Sequence, residues 1–348
     1  MTTTSPLAAR QQRWERFLKP ETPPGFLFLI RWTDPELPEW VALWPALRKE
    51  RVECLWKTYR RHQDRAAWLD DDFIPCFKMI TGTEIFAEAF GCPVHRPNDT
   101  MPSARPLIHS ASEVAGLKVP ELSGSSLAYL FDMADELHRR DPEAVFQLVD
   151  VQSPMDIAAL IWEKASFCVG LVEAPEAVKE LAEKVRALLT AFLDEWFRRY
   201  GTRYMAHYPD YFMNGGMTLS EDEVGIVSPD MFEEFFLPEL AALSNRYGGL
   251  GMHCCANSRH QWANFKKIPG LRLLNLVQPP EVVKEAFQFF ADGPAQMHGA
   301  TVTSGPVETW PDQYPANARV VIEVPVKTQE EAVAAARLLN ARREAKGM

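Results

Sequence analysis

Gly249-Leu250-Gly251-Met252-His253-Cys254-Cys255-Ala256-Asn257-Ser258 reads as a short strand that runs out into polar, turn-forming residues. The segment after it, Arg259–Lys267, has helical spacing, and the same alternation then repeats to the end of the chain. Leu271–Val277 is a predicted strand and Pro280–Phe290 a helix; Gln296–Val302 is a strand, Trp310–Asn317 a connector, Arg319–Pro325 a strand and Thr328–Arg343 a helix. Apolar strands alternating with amphipathic helices imply a parallel sheet buried on both faces. No glycine-rich phosphate loop accompanies the pattern, so a nucleotide-binding open sheet is poorly supported. The expected fold is α/β, a single (β/α)8 TIM barrel.

Working upstream, the rhythm continues. Met213–Leu219 is a predicted strand, and Ser228-Pro229-Asp230 caps a helix over Met231–Tyr247. Glu173–Arg199 is a long amphipathic helix, with Val178, Leu181, Val185, Leu188, Leu189 and Phe192 on one face. Val145–Val151 and Phe73–Met79 are further strands. Glu36–His62 is helical in character with a break at Pro45, and Gly25–Ile30 is either a strand or a docking segment. The expected organisation is an N-terminal helical extension over 1–65 packed on a barrel over 66–348. Asp70-Asp71-Asp72 reads as a solvated cap or as a source of one catalytic acid at the rim.

Composition narrows the function. A net charge of −10 argues against nucleic acid or an anionic membrane as a partner, because phosphates demand clustered Lys and Arg. No apolar run approaches membrane-spanning length, and the start lacks the apolar core of a secretory signal. Cys54, Cys76, Cys92 and Cys168 show no metal-ligand spacing, which fits free thiols in a reducing cytoplasm.

In a (β/α)8 barrel the active site gathers at the C-terminal ends of the strands. Those ends carry Asp150 and Gln152, then Asp222, His253 and Cys255, Asn275 and Gln278, His298, and Glu323. Side chains alternate along a strand, so His253 and Cys255 share a face and Cys254 points away. An imidazole and a thiol so placed suit zinc, but a catalytic zinc site takes three protein ligands. His298 or Glu323 are the candidates to complete it, and a carboxylate within Val320–Pro325 is costly to bury unless paired or ligated. Asp150, Asp222 and His253 are the candidate acid, base and orienting groups, and Gln152, Asn275 and Gln278 the candidate cofactor-binding groups.

Three segments resemble the uroporphyrinogen decarboxylase superfamily: Asp150–Pro154 leading into Ile157–Lys164; Glu221–Pro229 followed by Phe232–Pro238; and Met252–Cys255 followed by Leu273–Pro279. The resemblance covers about Asp70 to the C-terminus. The arginine-rich N-terminal motif by which true decarboxylases grip substrate carboxylates has no equivalent, Arg31-Trp32 being a distant candidate. The branch that resembles this chain better is that of the cobalamin-dependent methyltransferases, which activate thiols with zinc. There a second cysteine on the last strand completes the metal site. No cysteine follows Cys255 here, so the resemblance implies zinc on His253, Cys255 and Glu323, with His298 as a further ligand, or a metal that has been lost. It implies a methyl group exchanged between a small-molecule substrate and a corrinoid (cobalamin) on a separate protein. A homodimer is a further expected assembly.

Two alternatives follow. One is metal-free decarboxylation or lyase chemistry on a tetrapyrrole or small carboxylate, run by Asp150, Asp222 and His253. The other is a non-enzymatic corrinoid or tetrapyrrole binder that uses Phe77, Met79, Trp162, Tyr211, Phe212 and Met213 as a platform. Specificity is expected in the loops His95–Leu117 and His207–Gly216.

Overall fold

The computed structural model describes residues 6–300 and 302–347. Among the described residues eight strands compose the barrel: β1 (Gly25–Arg31), β2 (Cys76–Phe77), β3 (Val145–Gln147), β4 (Met217–Ser220), β5 (Leu250–Cys254), β6 (Leu271–Leu276), β7 (Ala295–Gln296) and β8 (Arg319–Pro325). One ladder runs β1-β8-β7-β6-β5-β4, parallel throughout. The other joins β2 and β3 to a hairpin of Arg203–Met205 and Phe212–Asn214. The expected strand Met213–Leu219 is thus divided, because Gly215 and Gly216 both adopt positive φ, where only glycine is unstrained.

Side groups and single bonds join the two ladders. At one seam Ser220 N–H donates to the Val151 carbonyl at 2.9 Å and Ser153 N–H to the Ser220 carbonyl at 2.8 Å. At the other, Asp72 takes the place of a neighbouring strand. Its N–H donates to the Phe28 carbonyl at 3.0 Å, and its carboxylate accepts the Phe28 N–H at 3.0 Å. The Asp71 carboxylate accepts the Ile30 N–H at 3.0 Å. Both acids are buried, and cations compensate them: Arg65 at 2.7 Å from Asp71, Arg13 at 2.7 Å and Arg343 at 3.0 Å from Asp72. Asp71 and Asp72 are therefore neither a solvated cap nor a catalytic rim, while Asp70 alone of the run is exposed. They supply the hydrogen bonds that the edge of β1 would otherwise lack, Asp71 and Asp72 both accepting from it.

Gly25–Arg31, placed by the sequence in the 1–65 extension, is a barrel strand paired along its whole length with β8, from Gly25 opposite Arg319 to Arg31 opposite Pro325. Its alternation sorts the core. Leu27 and Leu29 join the main hydrophobic cluster, whereas Phe26, Phe28 and Ile30 join a second cluster with Val320, Ile322, Val324 and the C-terminal helix Gln329–Ala345. Helix Pro6–Phe17 is locked to the seam by the Trp14 indole, which donates to the Asp72 carbonyl at 2.8 Å. Helix Pro175–Tyr200 buries the predicted face from Val178 to Phe192. Burying one such leucine or phenylalanine contributes roughly 1.5–3 kcal/mol. Among the described residues, no helix is long and apolar enough to cross a membrane.

Candidate functional site

β5 delivers the chemistry. Gly251 has no Cβ, and one built there would lie 1.8 Å from the buried Tyr211 hydroxyl, so the strand can pack this closely only with glycine. Two residues on, His253 is almost buried and Cys255, just past the strand, is exposed. Cys254 is fully buried, as the alternation predicts. Asp222 follows β4 and bends back under the Cys255 turn. Its Oδ1 accepts the Cys255 N–H at 2.6 Å and the Ala256 N–H at 3.3 Å. The ligand atoms of Asp222, His253 and Cys255 all lie within 4.8 Å of one another.

The surroundings suit a cation. His253 Nδ1 lies 2.5 Å from Asn275 Oδ1, and the Asn275 amide nitrogen donates in turn to the Met297 carbonyl. That orientation makes Nδ1 the protonated nitrogen and leaves the Nε2 lone pair free, the usual arrangement of a metal-ligating histidine. Although Cys255 is exposed as a residue, desolvation of its sulfur against the turn, reinforced by the Asp222 charge, pushes the thiol up to about 12. A thiol held in that state is a poor nucleophile by itself and needs a cation to become a thiolate at neutral pH. Nitrogen, sulfur and carboxylate oxygen, three ligands in all, match an open catalytic zinc site.

Other candidates are held elsewhere. Glu323 accepts from Arg31 Nε at 2.5 Å, so an ion pair answers its burial cost and Asp222 takes the place beside His253 and Cys255. His298 has both nitrogens engaged, Nδ1 by the Leu276 N–H at 3.0 Å and Nε2 by Gln296 Oε1 at 3.0 Å. Burial lowers its pKa to about 3, which leaves a neutral, internally bonded imidazole with no lone pair to offer. Asn275 acts on His253, and the Gln278 amide donates to the carbonyls of Cys255 and Ala256 at 2.9 and 2.7 Å, holding that turn. Gln152 lies on the barrel seam, bridged to Ser220. Asp150 is buried with Oδ2 3.3 Å from His207 Nε2 and Oδ1 without a hydrogen-bond partner among the described residues.

Several residues of the mouth were not identified from sequence. Asp156 accepts the N–H groups of Asp222 at 2.9 Å and Glu223 at 2.8 Å, fixing the loop that carries Asp222. Burial raises the carboxyl pKa values of Asp156 and its neighbour Glu221. Ser153-Pro154-Met155-Asp156 carried a readable signal: Ser153 caps the helix by accepting the Asp156 N–H at 3.0 Å. The loop after Met205, which falls in the segment His207–Gly216 expected to carry specificity although its His207, Tyr208 and Asp210 were not singled out, supplies the rest. His207 faces Asp150; burial opposes its charge, but the nearby carboxylate outweighs burial and raises its pKa. Tyr208 packs edge-on against His253, centroids 4.9 Å apart. Asp210 is bonded to Lys78 at 3.0 Å, Gln147 at 3.0 Å and Arg31 at 3.5 Å. Burial would raise the Asp210 pKa, yet Lys78 and Arg31 hold it down at about 2. Beside Tyr208 lies a cavity of about 220 Å³, with Arg31 and Glu323 in its wall. By contrast Phe77, Met79, Trp162, Tyr211, Phe212 and Met213 are all buried, so they form no open platform.

Residues 72–289 match the family described as "Uroporphyrinogen decarboxylase (URO-D)". A solved structure described as a methyltransferase from Methanosarcina mazei superposes with a TM-score of 0.59 at 13% identity, covering 86% of this chain and 87% of that one. At that identity the likeness speaks to the fold. No curated protein matches the sequence.

Proposed function

The chain belongs to the uroporphyrinogen decarboxylase family, and on that premise we propose that it is a zinc-dependent methyltransferase acting on a small substrate. The observation that carries this reading is the convergence of Asp222, His253 and Cys255 within 4.8 Å. His253 Nε2, the Cys255 sulfur and the Asp222 carboxylate would hold the ion. Bound zinc supplies Lewis acidity, which lowers the pKa of a coordinated thiol. Asn275 keeps His253 in the tautomer that presents Nε2. Asp222 Oδ1 and the Gln278 amide fix the Cys255 turn, so the thiol is positioned before substrate arrives. Asp156 fixes Asp222 in the same way.

The methyl group is proposed to pass between the substrate and a corrinoid. The aromatic and methionine side chains Phe77, Met79, Trp162, Tyr211, Phe212 and Met213 are buried and offer no surface for a corrinoid, which favours its delivery by a separate protein at the mouth. The Asp150–His207 pair supports a second reading, metal-free acid–base chemistry on a small carboxylate. Metal analysis of the purified protein separates the two. Wild type is expected to hold close to one zinc per chain, and Cys255→Ser, His253→Ala and Asp222→Ala to lose most of it. A wild type with no zinc and no gain of activity on adding it would refute the methyltransferase reading, and activity unaffected by chelators would favour the second.

A further inference from the structure

The charges beside Tyr208 form a row. Lys78 pairs with Asp210 at 3.0 Å, Asp210 with Arg31 at 3.5 Å, and Arg31 with Glu323 at 2.5 Å. Two cations and two anions alternate and sum to zero. The last pair of the row lines the cavity of about 220 Å³. It differs from the pairs that close the barrel seam. Asp72 and Arg343 there show 0% and 10% side-chain exposure, whereas Arg31 and Glu323 show 33% and 30%. A ligand can reach both.

The balance of charge decides which ligand suits the cavity. A plain carboxylate bound to Arg31 would displace Glu323 and leave a second carboxylate unpaired in the wall. A plain cation bound to Glu323 would leave Arg31 short of a partner on that side. Either outcome carries the cost of a desolvated, unpaired charge. A molecule bearing both charges replaces one ion pair with two and leaves the row neutral. The remaining walls favour the same class. Tyr208, Phe287 and Tyr314 line the cavity, Phe287 and Tyr314 packed edge to face at 4.8 Å. Aromatic faces attract alkylated ammonium groups. The volume is below the roughly 300–1,000 Å³ of pockets for drug-sized ligands. Tyr208 lines the cavity and packs against His253, centroids 4.9 Å apart, which links the cavity wall to the Asp222–His253–Cys255 group.

We propose that this cavity binds a small zwitterion, an amino acid or N-methylated amino acid, with its carboxylate on Arg31 and its ammonium group on Glu323. The proposal names the substrate class of the methyl transfer inferred above and rests on that reading for the fate of the bound molecule. Binding itself depends on the Arg31–Glu323 wall and not on the metal ligands.

The test is calorimetric titration of the full chain with glycine, alanine, N,N-dimethylglycine and trimethylglycine, alongside propionate and trimethylammonium as single-charge probes. At least one zwitterion is expected to bind more than about tenfold more tightly than either single-charge probe, a difference of about 1.4 kcal/mol. Glu323→Gln is expected to abolish that preference without weakening propionate, and Glu323→Asp to retain it, which distinguishes lost recognition from lost folding. The idea is overturned if no zwitterion binds, if propionate binds as tightly, or if Glu323→Gln leaves the preference intact. Cys255→Ser is titrated in parallel. Zwitterion binding that persists there supports the cavity even if the metal reading fails, and a zinc-loaded wild type that binds none of the panel sinks this inference alone.

Discussion

Asn275 offers the sharpest test of how the barrel prepares His253. Its side chain, 1% exposed, accepts from His253 Nδ1 and donates to the Met297 carbonyl. Asn275→Leu removes both bonds and leaves a buried imidazole N–H and a buried carbonyl without partners. Each unsatisfied group costs about 1–3 kcal/mol, partly offset by the apolar volume gained, so the net loss expected is about 2–4 kcal/mol. The imidazole also loses the bond that sets its tautomer. Loss of such an outer partner typically lowers metal affinity 10–100-fold, or about 1.4–2.7 kcal/mol. Asn275→Asp separates the two effects. A carboxylate still accepts the Nδ1 proton but cannot donate to Met297, so stability should fall while metal affinity stays near wild type. Cobalt(II) titration followed by visible absorption reads affinity, and urea unfolding reads stability. A folded Asn275→Leu variant that binds cobalt as tightly as wild type would refute the assigned role of Asn275.

Two further outcomes concern the scaffold. Asp72→Ala leaves Arg343 and the Phe28 N–H buried without their acceptor. Breaking a buried pair in this way costs about 3–5 kcal/mol, so the urea midpoint should drop steeply; a loss below about 1 kcal/mol would show that the seam does not depend on this carboxylate. Burial holds His298 at a pKa of about 3, and burial with the nearby Lys78 and Arg65 charges does the same for His62. Their folded pKa values lie below the unfolded value of about 6.5, so the unfolded chain takes up protons first and stability is lost as pH falls from about 6.5 toward 3. Each imidazole contributes on the order of 1.4 kcal/mol per pH unit over that window, and His298→Gln should flatten the measured slope; an unchanged slope would mean that His298 protonates in the folded state.

Most of the barrel was legible because its signals are local. Arg319–Pro325 is a strand at its predicted bounds, and the helical face from Val178 to Phe192 is buried as its spacing requires. The His253-x-Cys255 pair could be read from alternation along one strand. The glycine pair at 215–216 had a local signal too, but it was absorbed into an apolar run. Long-range partnership was not legible. Which carboxylate meets His253 and Cys255 depends on how β4 and β5 lie side by side, and that places Asp222 there while β1 brings Arg31 across to occupy Glu323. Asp71 and Asp72 look solvated in a string of letters, and only the open edge of β1 gives them buried N–H groups to satisfy. The sequence by itself determined the alternation of strands and helices from β4 to the C-terminal helix, because periodicity and turn chemistry act over a few residues, but not the hairpin of Arg203–Met205 and Phe212–Asn214. The tertiary structure alone decided the pairing of charges, because a buried carboxylate takes whichever donor or cation the fold brings within about 3 Å.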